Sequence, residues 1–233
     1  MFQNSYTLLL IISRKYARLS QISLINLGGE FVDKILKLLA ASLMIGCGIY
    51  YICLIYRGEP VGSFATWFLF FVAVVVSLAS YKFERENKAQ INGRNLSDNI
   101  MNLCDAFIVT SIVIAIVATR GWSIFPISTT DKICVSLSLV MIVIWLIKRN
   151  HFTTNLISQF ILFIAYFPTF SKLWYANTNE ESFIMWGGIW LAGILSVAVA
   201  MRKKDLLATI YALRALVMVS IILILMLSKI GAQ

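Results

Sequence analysis

Three polar clusters sit inside otherwise apolar stretches of this 233-residue chain. Asp98, Asn102 and Asp105 fall at i, i+4 and i+7, one face of a helix. Asn155, Gln159 and Tyr166 fall at i, i+4 and i+11, again one face, with Pro168 half a turn on. Asp205, Thr209 and Arg214 make the third. Carboxylates, carboxamides and a guanidinium of this kind bind: they grip a polar guest or one another. They lack the equipment of catalysis. His151 is the only histidine, and Cys47, Cys53, Cys104 and Cys134 show no CxxC spacing and behave as small hydrophobes. No nucleophile–base pair, metal cluster or phosphate loop is written. The expectation is a protein that is not an enzyme and has no metal, cofactor or disulfide.

The elements that must position these groups follow from composition. Sixty per cent of the residues are apolar and 13% charged, whereas a soluble domain carries about a quarter charged residues. So much apolar surface needs lipid as its solvent. Seven runs can cross a bilayer core: 36–56, 64–81, 99–119, 133–147, 155–173, 183–201 and 206–228. The fourth is the shortest. Backbone polar groups in hydrocarbon need internal partners, so the runs are helices. Arg57, Arg120, Lys132, Lys172 and Lys229 fall on one side of such a bundle. Fourteen Lys and Arg fall on the other, in the N-terminal segment and around 82–94, 148–149 and 202–204. Basic residues collect in cytoplasmic loops, which predicts the N-terminus inside and the C-terminus outside. The net charge of +9 then implies contact with anionic lipid rather than nucleic acid.

Before the first span, TLLLIIS at 7–13 is too short to cross. Arg14, Lys15 and Arg18 interleave with Leu19, Ile22, Leu24 and Ile25. Residues 1–35 therefore read as an amphipathic segment on the cytoplasmic membrane surface, or as a basic tail. Gly28-Gly29 is expected to break the chain ahead of the first span, and Glu30/Lys34 and Asp33/Lys37 are opposite charges at i,i+4.

Within the bundle, Asp105 and Arg214 each lie nine residues into helices running the same way. At about 1.5 Å per residue both reach the midplane, which predicts an ion pair. The alternative has Asp105 solvated and Arg214 snorkelling outward. Pro168 deletes one helical hydrogen bond and kinks its span, as a gating hinge or as a static bend. In the sixth span Gly187-Gly188 and Gly193 predict close helix packing.

The chain also repeats itself. Ser63-Phe64-Ala65-Thr66-Trp67 opens the second span, and Ser182-Phe183-Ile184-Met185-Trp186 opens the sixth, 119 positions later. Each follows an outgoing span and a short polar loop, and precedes a third span that opens at Asp98 or Asp205. The serine of each pentapeptide is placed to cap its helix. An even number of spans separates equivalent points, so the two triplets are parallel repeats about the membrane normal.

This pattern resembles the SWEET/SemiSWEET (PQ-loop) superfamily. The more specific match is Ala165-Tyr166-Phe167-Pro168-Thr169-Phe170-Ser171-Lys172-Leu173-Trp174 followed by Glu180-Glu181-Ser182, which is similar to uncharacterised bacterial members. Ile52 stands where the first unit would carry the proline. The resemblance implies an all-α membrane protein of seven transmembrane helices, arranged 3+1+3. Residues 36–119 and 153–233 are then the repeats, and 120–152 the linker helix. It further implies a bacterial inner-membrane facilitator that moves a sugar, nucleoside or vitamin-like solute by alternating access, with homo-oligomers possible. Binding residues would be Trp67, Asn102, Asp105, Asn155, Gln159, Trp186 and Arg214. In sugar facilitators the corresponding tryptophans stack on substrate; read from the sequence alone, Trp67 and Trp186 fit interface anchors equally well. The competing reading is a non-transporting membrane subunit or effector that assembles with partner proteins.

Overall fold

The computed structural model describes residues 3–59, 63–92, 99–121, 128–148 and 151–230. Side chains are described for 29–59, 63–78, 99–121, 128–140, 142–144, 147 and 156–230. The described residues form α1 (Gln3–Tyr56), α2 (Phe64–Asn92), α3 (Ile100–Arg120), α4 (Thr129–Lys148), α5 (His151–Ile164), α6 (Phe167–Tyr175), α7 (Phe183–Arg202) and α8 (Leu206–Ser228). Among the described residues, five stretches are long and apolar enough to cross a membrane: Gly29–Tyr56, Ile100–Arg120, Leu156–Tyr175, Phe183–Arg202 and Leu206–Ser228. Phe64–Leu78 is a shorter apolar helix. The chain is an all-α integral membrane protein.

Helix boundaries reflect local chemistry. Ser182 accepts the Met185 amide at 3.2 Å and starts α7, and Asp205 accepts the Ala208 amide at 3.1 Å and starts α8. At α4, Ser128 and Asp131 cap each other, with the Asp131 amide on Ser128 Oγ at 3.1 Å and the Ser128 amide on Asp131 Oδ2 at 3.0 Å. Ser63 does something else with its hydroxyl, which donates to Asp131 Oδ1 at 3.5 Å and ties the entrance of α2 to α4. The α7–α8 turn requires a left-handed residue, and Lys204 adopts it at φ 52°.

One expectation changes, and the bend expected at Pro168 takes the form of a break. The helix does not break at Gly28-Gly29, because α1 is continuous from Gln3 to Tyr56 and so crosses the boundary expected at 35/36. A glycine inside a helix costs only about 1 kcal/mol relative to alanine. The α7 end also grips α1 there: Arg202 donates to the Gly29 carbonyl at 3.3 Å, and Arg202 and Lys203 both pair with Asp33. The amphipathic character expected of residues 1–28 falls on side chains outside those described. The fifth span, in turn, is two helices. At Ala165-Tyr166 the path tightens, with the Tyr166 amide bonding the Phe163 carbonyl at 3.3 Å before α6 begins. Pro168 brings no amide hydrogen for the Ile164 carbonyl, so an unbroken α-helical ladder is impossible at this point.

Neighbour relations are regular. α3 packs between α1 and α2, and α8 packs between α7 and the α5–α6 path. Across the middle of the molecule α1 lies on α7 and α2 on α5, while α4 leans against α5 and α6. The core is continuous through this seam, including Met44, Tyr51, Trp67, Phe70, Ile112, Ile161, Tyr166, Trp186, Tyr211 and Ile222. Close approach along α1–α7 requires Gly188: a Cβ there would stand 2.0 Å from Cys47 Sγ. Gly193 sits 3.5 Å from Leu216 by the same measure, whereas Gly187 has nothing within 4 Å. The tight-packing expectation thus holds for Gly188 alone, since the Gly193 distance is ordinary van der Waals contact.

Candidate functional site: a polar relay beside a central cavity

Where α1, α2, α3, α5, α7 and α8 meet, the packing leaves a cavity bordered by Trp67, Asp105, Tyr166, Trp186 and Arg214 and otherwise largely by apolar side chains, among them Met44, Ile108 and Met185. The space open to the centre of a water molecule is about 20 Å³, room for one or two waters.

Four helices send polar groups to its edge. Asn102 on α3 and Gln159 on α5 both donate to Ser77 Oγ on α2, each at 3.1 Å. The other end of the Gln159 amide accepts Arg214 Nε from α8 at 3.0 Å. The Arg214 guanidinium lies 4.9 Å from the ring centre of Tyr211 and 5.8 Å from that of Tyr166, both within cation–π range. Tyr211 passes its hydroxyl hydrogen to Asp105 Oδ2 at 2.7 Å. The result is one relay, Asn102–Ser77–Gln159–Arg214, continued through the Tyr211 ring to Asp105.

Asp105 and Arg214 therefore reach one site but do not form the direct ion pair expected of them. Tyr211 sits three residues before Arg214 on the same helix face and takes the carboxylate first. The guanidinium, left with an amide and two ring faces, is stabilised without a formal countercharge in contact. Neither group is solvated at the inner surface or snorkelling.

Trp67 and Trp186 stack on each other, with ring centres 6.0 Å apart and planes 18° apart. Each is only 2% exposed, so neither anchors the protein at the lipid interface. Trp174, by contrast, is 64% exposed. The stack continues into Phe70 and Tyr166, whose centres are 4.6 Å apart. Trp186 Nε1 donates to Glu181 Oε2 at 3.1 Å. Burial in the loop before α7 pushes the Glu181 carboxyl above its usual range, partly countered by nearby Lys172 and by that hydrogen bond.

Of the residues expected to bind, Trp67, Asp105, Trp186 and Arg214 line the cavity, and Asn102 and Gln159 support it one step behind. The side chain of Asn155 lies outside those described. Pro168 is buried in the first turn of α6, two residues after Tyr166. Sequence reasoning misses Ser77, Tyr211 and Glu181 as members of the site. Tyr211 is legible in principle, because i−3 from Arg214 shares its face; a serine such as Ser77 in a run of valines carries no such signal.

Several of these buried atoms lack any hydrogen-bond partner among the described residues: Trp67 Nε1, Arg214 Nη1 and Asn102 Oδ1. Buried polar atoms are nearly always paired; of these three, Trp67 Nε1 and Arg214 Nη1 belong to residues that line the cavity. Compared with family models, curated proteins and solved structures, the chain matches none.

Proposed function

We propose that the protein is a small-solute transporter in which two parallel three-helix units, α1–α3 and α5–α8, joined by α4, move about the cavity between them. The neighbour pattern supports the repeat. In each unit the third helix packs between the other two, and the seam joins the first helix of one unit to the second of the other, on both sides. Exchanging the units exchanges α1–α7 with α5–α2, as a two-fold axis along the membrane normal requires. The repeated pentapeptides supply the stacked pair Trp67 and Trp186 at that axis. On this reading the seven-span, 3+1+3 layout and the likeness to SWEET/PQ-loop proteins go together, and the charge distribution sets the N-terminus in the cytoplasm of a bacterial cell.

The observation that carries the proposal is the cavity at the seam, where a guanidinium, a carboxylate and an indole converge with donors unspent. Its present size holds water and no sugar, so transport requires the units to separate. The break at Ala165-Tyr166 and Pro168 supplies a bend in one unit, and the flexible side chains of Met44 and Met185 can make way.

Uptake into proteoliposomes by the purified protein tests the reading. Asn102→Ala, Gln159→Ala and Trp186→Ala should fold yet lose uptake, while Pro168→Ala should change the rate more than ligand binding. The tight closure favours a second reading, a non-transporting subunit or effector. A cysteine at Val109, in a background lacking the native cysteines, decides between them. Labelling by a membrane-impermeant maleimide from either side supports alternating access; complete protection from both sides supports the effector.

A further inference from the structure

Trp67 and Trp186 occupy matching places, yet their indole hydrogens are treated differently. Trp186 donates to a carboxylate that the chain itself provides, Glu181, one residue before Ser182. At the matching position before Ser63 the sequence has Gly62. Trp67 Nε1 has no acceptor among the described residues, although Trp67 is almost wholly buried. It borders the same cavity as Arg214, whose buried Nη1 is also unmatched. Asp105 and Arg214 are the charged side chains lining that cavity. Asp105 is engaged by the Tyr211 hydroxyl, whereas the hydrogen-bond acceptor of Arg214 is the neutral amide of Gln159. Two donors lack acceptors, and the cation among them lacks a countercharge in contact.

We infer that the occupant of the cavity is a small organic carboxylate with a short apolar tail. Its carboxylate would accept from Arg214 Nη1 and Trp67 Nε1, repeating for Trp67 what Glu181 does for Trp186. The tail would lie against Met44, Ile108 and Met185, which carry no polar side-chain group able to hold a sugar's hydroxyls. A guanidinium favours carboxylate over a neutral acceptor because a charge-assisted hydrogen bond is roughly twice as strong as a neutral one. The present space admits one or two waters, so even a ligand of this size enters only when flexible side chains such as Met44 and Met185 give way, and that requirement selects a short tail. This inference rests on the cavity being a binding site, as proposed above.

The test is titration of the purified full-length protein in nanodiscs with propanoate and, separately, with propanamide, at constant ionic strength, followed by tryptophan fluorescence. Propanoate should give a saturable change, and propanamide, the same shape without the charge, should bind at least about tenfold more weakly. Trp67→Phe keeps the ring and removes the donor, and should raise the propanoate Kd about tenfold. Arg214→Gln should abolish the response; if that variant does not fold, Arg214→Lys, which keeps the charge and loses Nη1, should still weaken it. Absence of a saturable response, equal responses to acid and amide, or an unchanged Kd in Trp67→Phe would each overturn the inference and leave water as the partner of both donors. Uptake assays separate its fate from that of the transport proposal. Binding of propanoate without any uptake defeats transport alone; uptake of a sugar with no propanoate binding or competition defeats the carboxylate alone.

Discussion

Tyr211 on α8 and Asp105 on α3 are joined by a hydrogen bond of 2.7 Å from phenol to carboxylate. The same Tyr211 ring lies 4.9 Å from the Arg214 guanidinium, so one side chain satisfies the acid with its edge and steadies the base with its face. This places a half-buried acid and a half-buried base at one cavity while each keeps a partner of its own.

That arrangement predicts which pair is coupled. In double-mutant cycles read by thermal unfolding in detergent, Asp105→Asn with Tyr211→Phe should show a coupling of about 1–3 kcal/mol, the range for a hydrogen bond to a charged group. Asp105→Asn with Arg214→Gln should couple more weakly, through the ring and the shared field. A larger coupling for the second cycle would restore the direct ion pair.

The α1–α7 seam gives an internally controlled prediction. Gly188→Ala places a methyl group 2.0 Å from Cys47 Sγ, so the helices must shift or Cys47 must change rotamer. Overpacking of this kind costs about 1–3 kcal/mol. Gly187→Ala, one position away with open space around it, should be neutral or stabilise by up to about 1 kcal/mol. Melting temperatures of the two variants check the contrast, which vanishes if α1 and α7 do not touch there.

Glu181 predicts a pH dependence. Burial raises its carboxyl above the ordinary value, so the folded state binds a proton more readily than the unfolded chain does. The stability this contributes is fully present below the ordinary carboxylate value and is lost as pH rises through the raised one. Melting of the wild type should therefore fall across that window, and Glu181→Gln should flatten the fall. Parallel curves for the two proteins would exclude Glu181 as the titrating group. The same variant keeps an acceptor for Trp186 Nε1 and should leave the Trp67–Trp186 stack in place.

The charge distribution predicts a topology. Reporter fusions after Gly93, Arg149 and Lys204 should report cytoplasm, and fusions at Gly58, Gly121 and Asn177 the opposite side. An external signal after Lys204 would contradict the N-inside orientation, because Arg202, Lys203 and Lys204 lie in that turn.

Composition and run length determined the solvent of this protein, its helical class and the approximate position of most spans, because hydrocarbon leaves the backbone only local hydrogen-bonding solutions. Periodicity also brought Asn102, Asp105, Gln159 and Arg214 to faces that converge, since side-chain direction along a helix repeats every 3.6 residues. Partner choice was beyond it. Whether Arg214 meets Asp105 or Gln159 depends on how far α8 is rotated and on which neighbour takes the carboxylate first; Tyr211 does so only once α3 and α8 are packed together. Likewise the two tryptophans were legible as a repeated motif, but stacking at 6.0 Å instead of anchoring in lipid was decided by the seam. The orphaned donors Trp67 Nε1 and Arg214 Nη1 belong to tertiary structure alone. A missing partner is a property of the space around an atom, and that space is set by all the helices that enclose it.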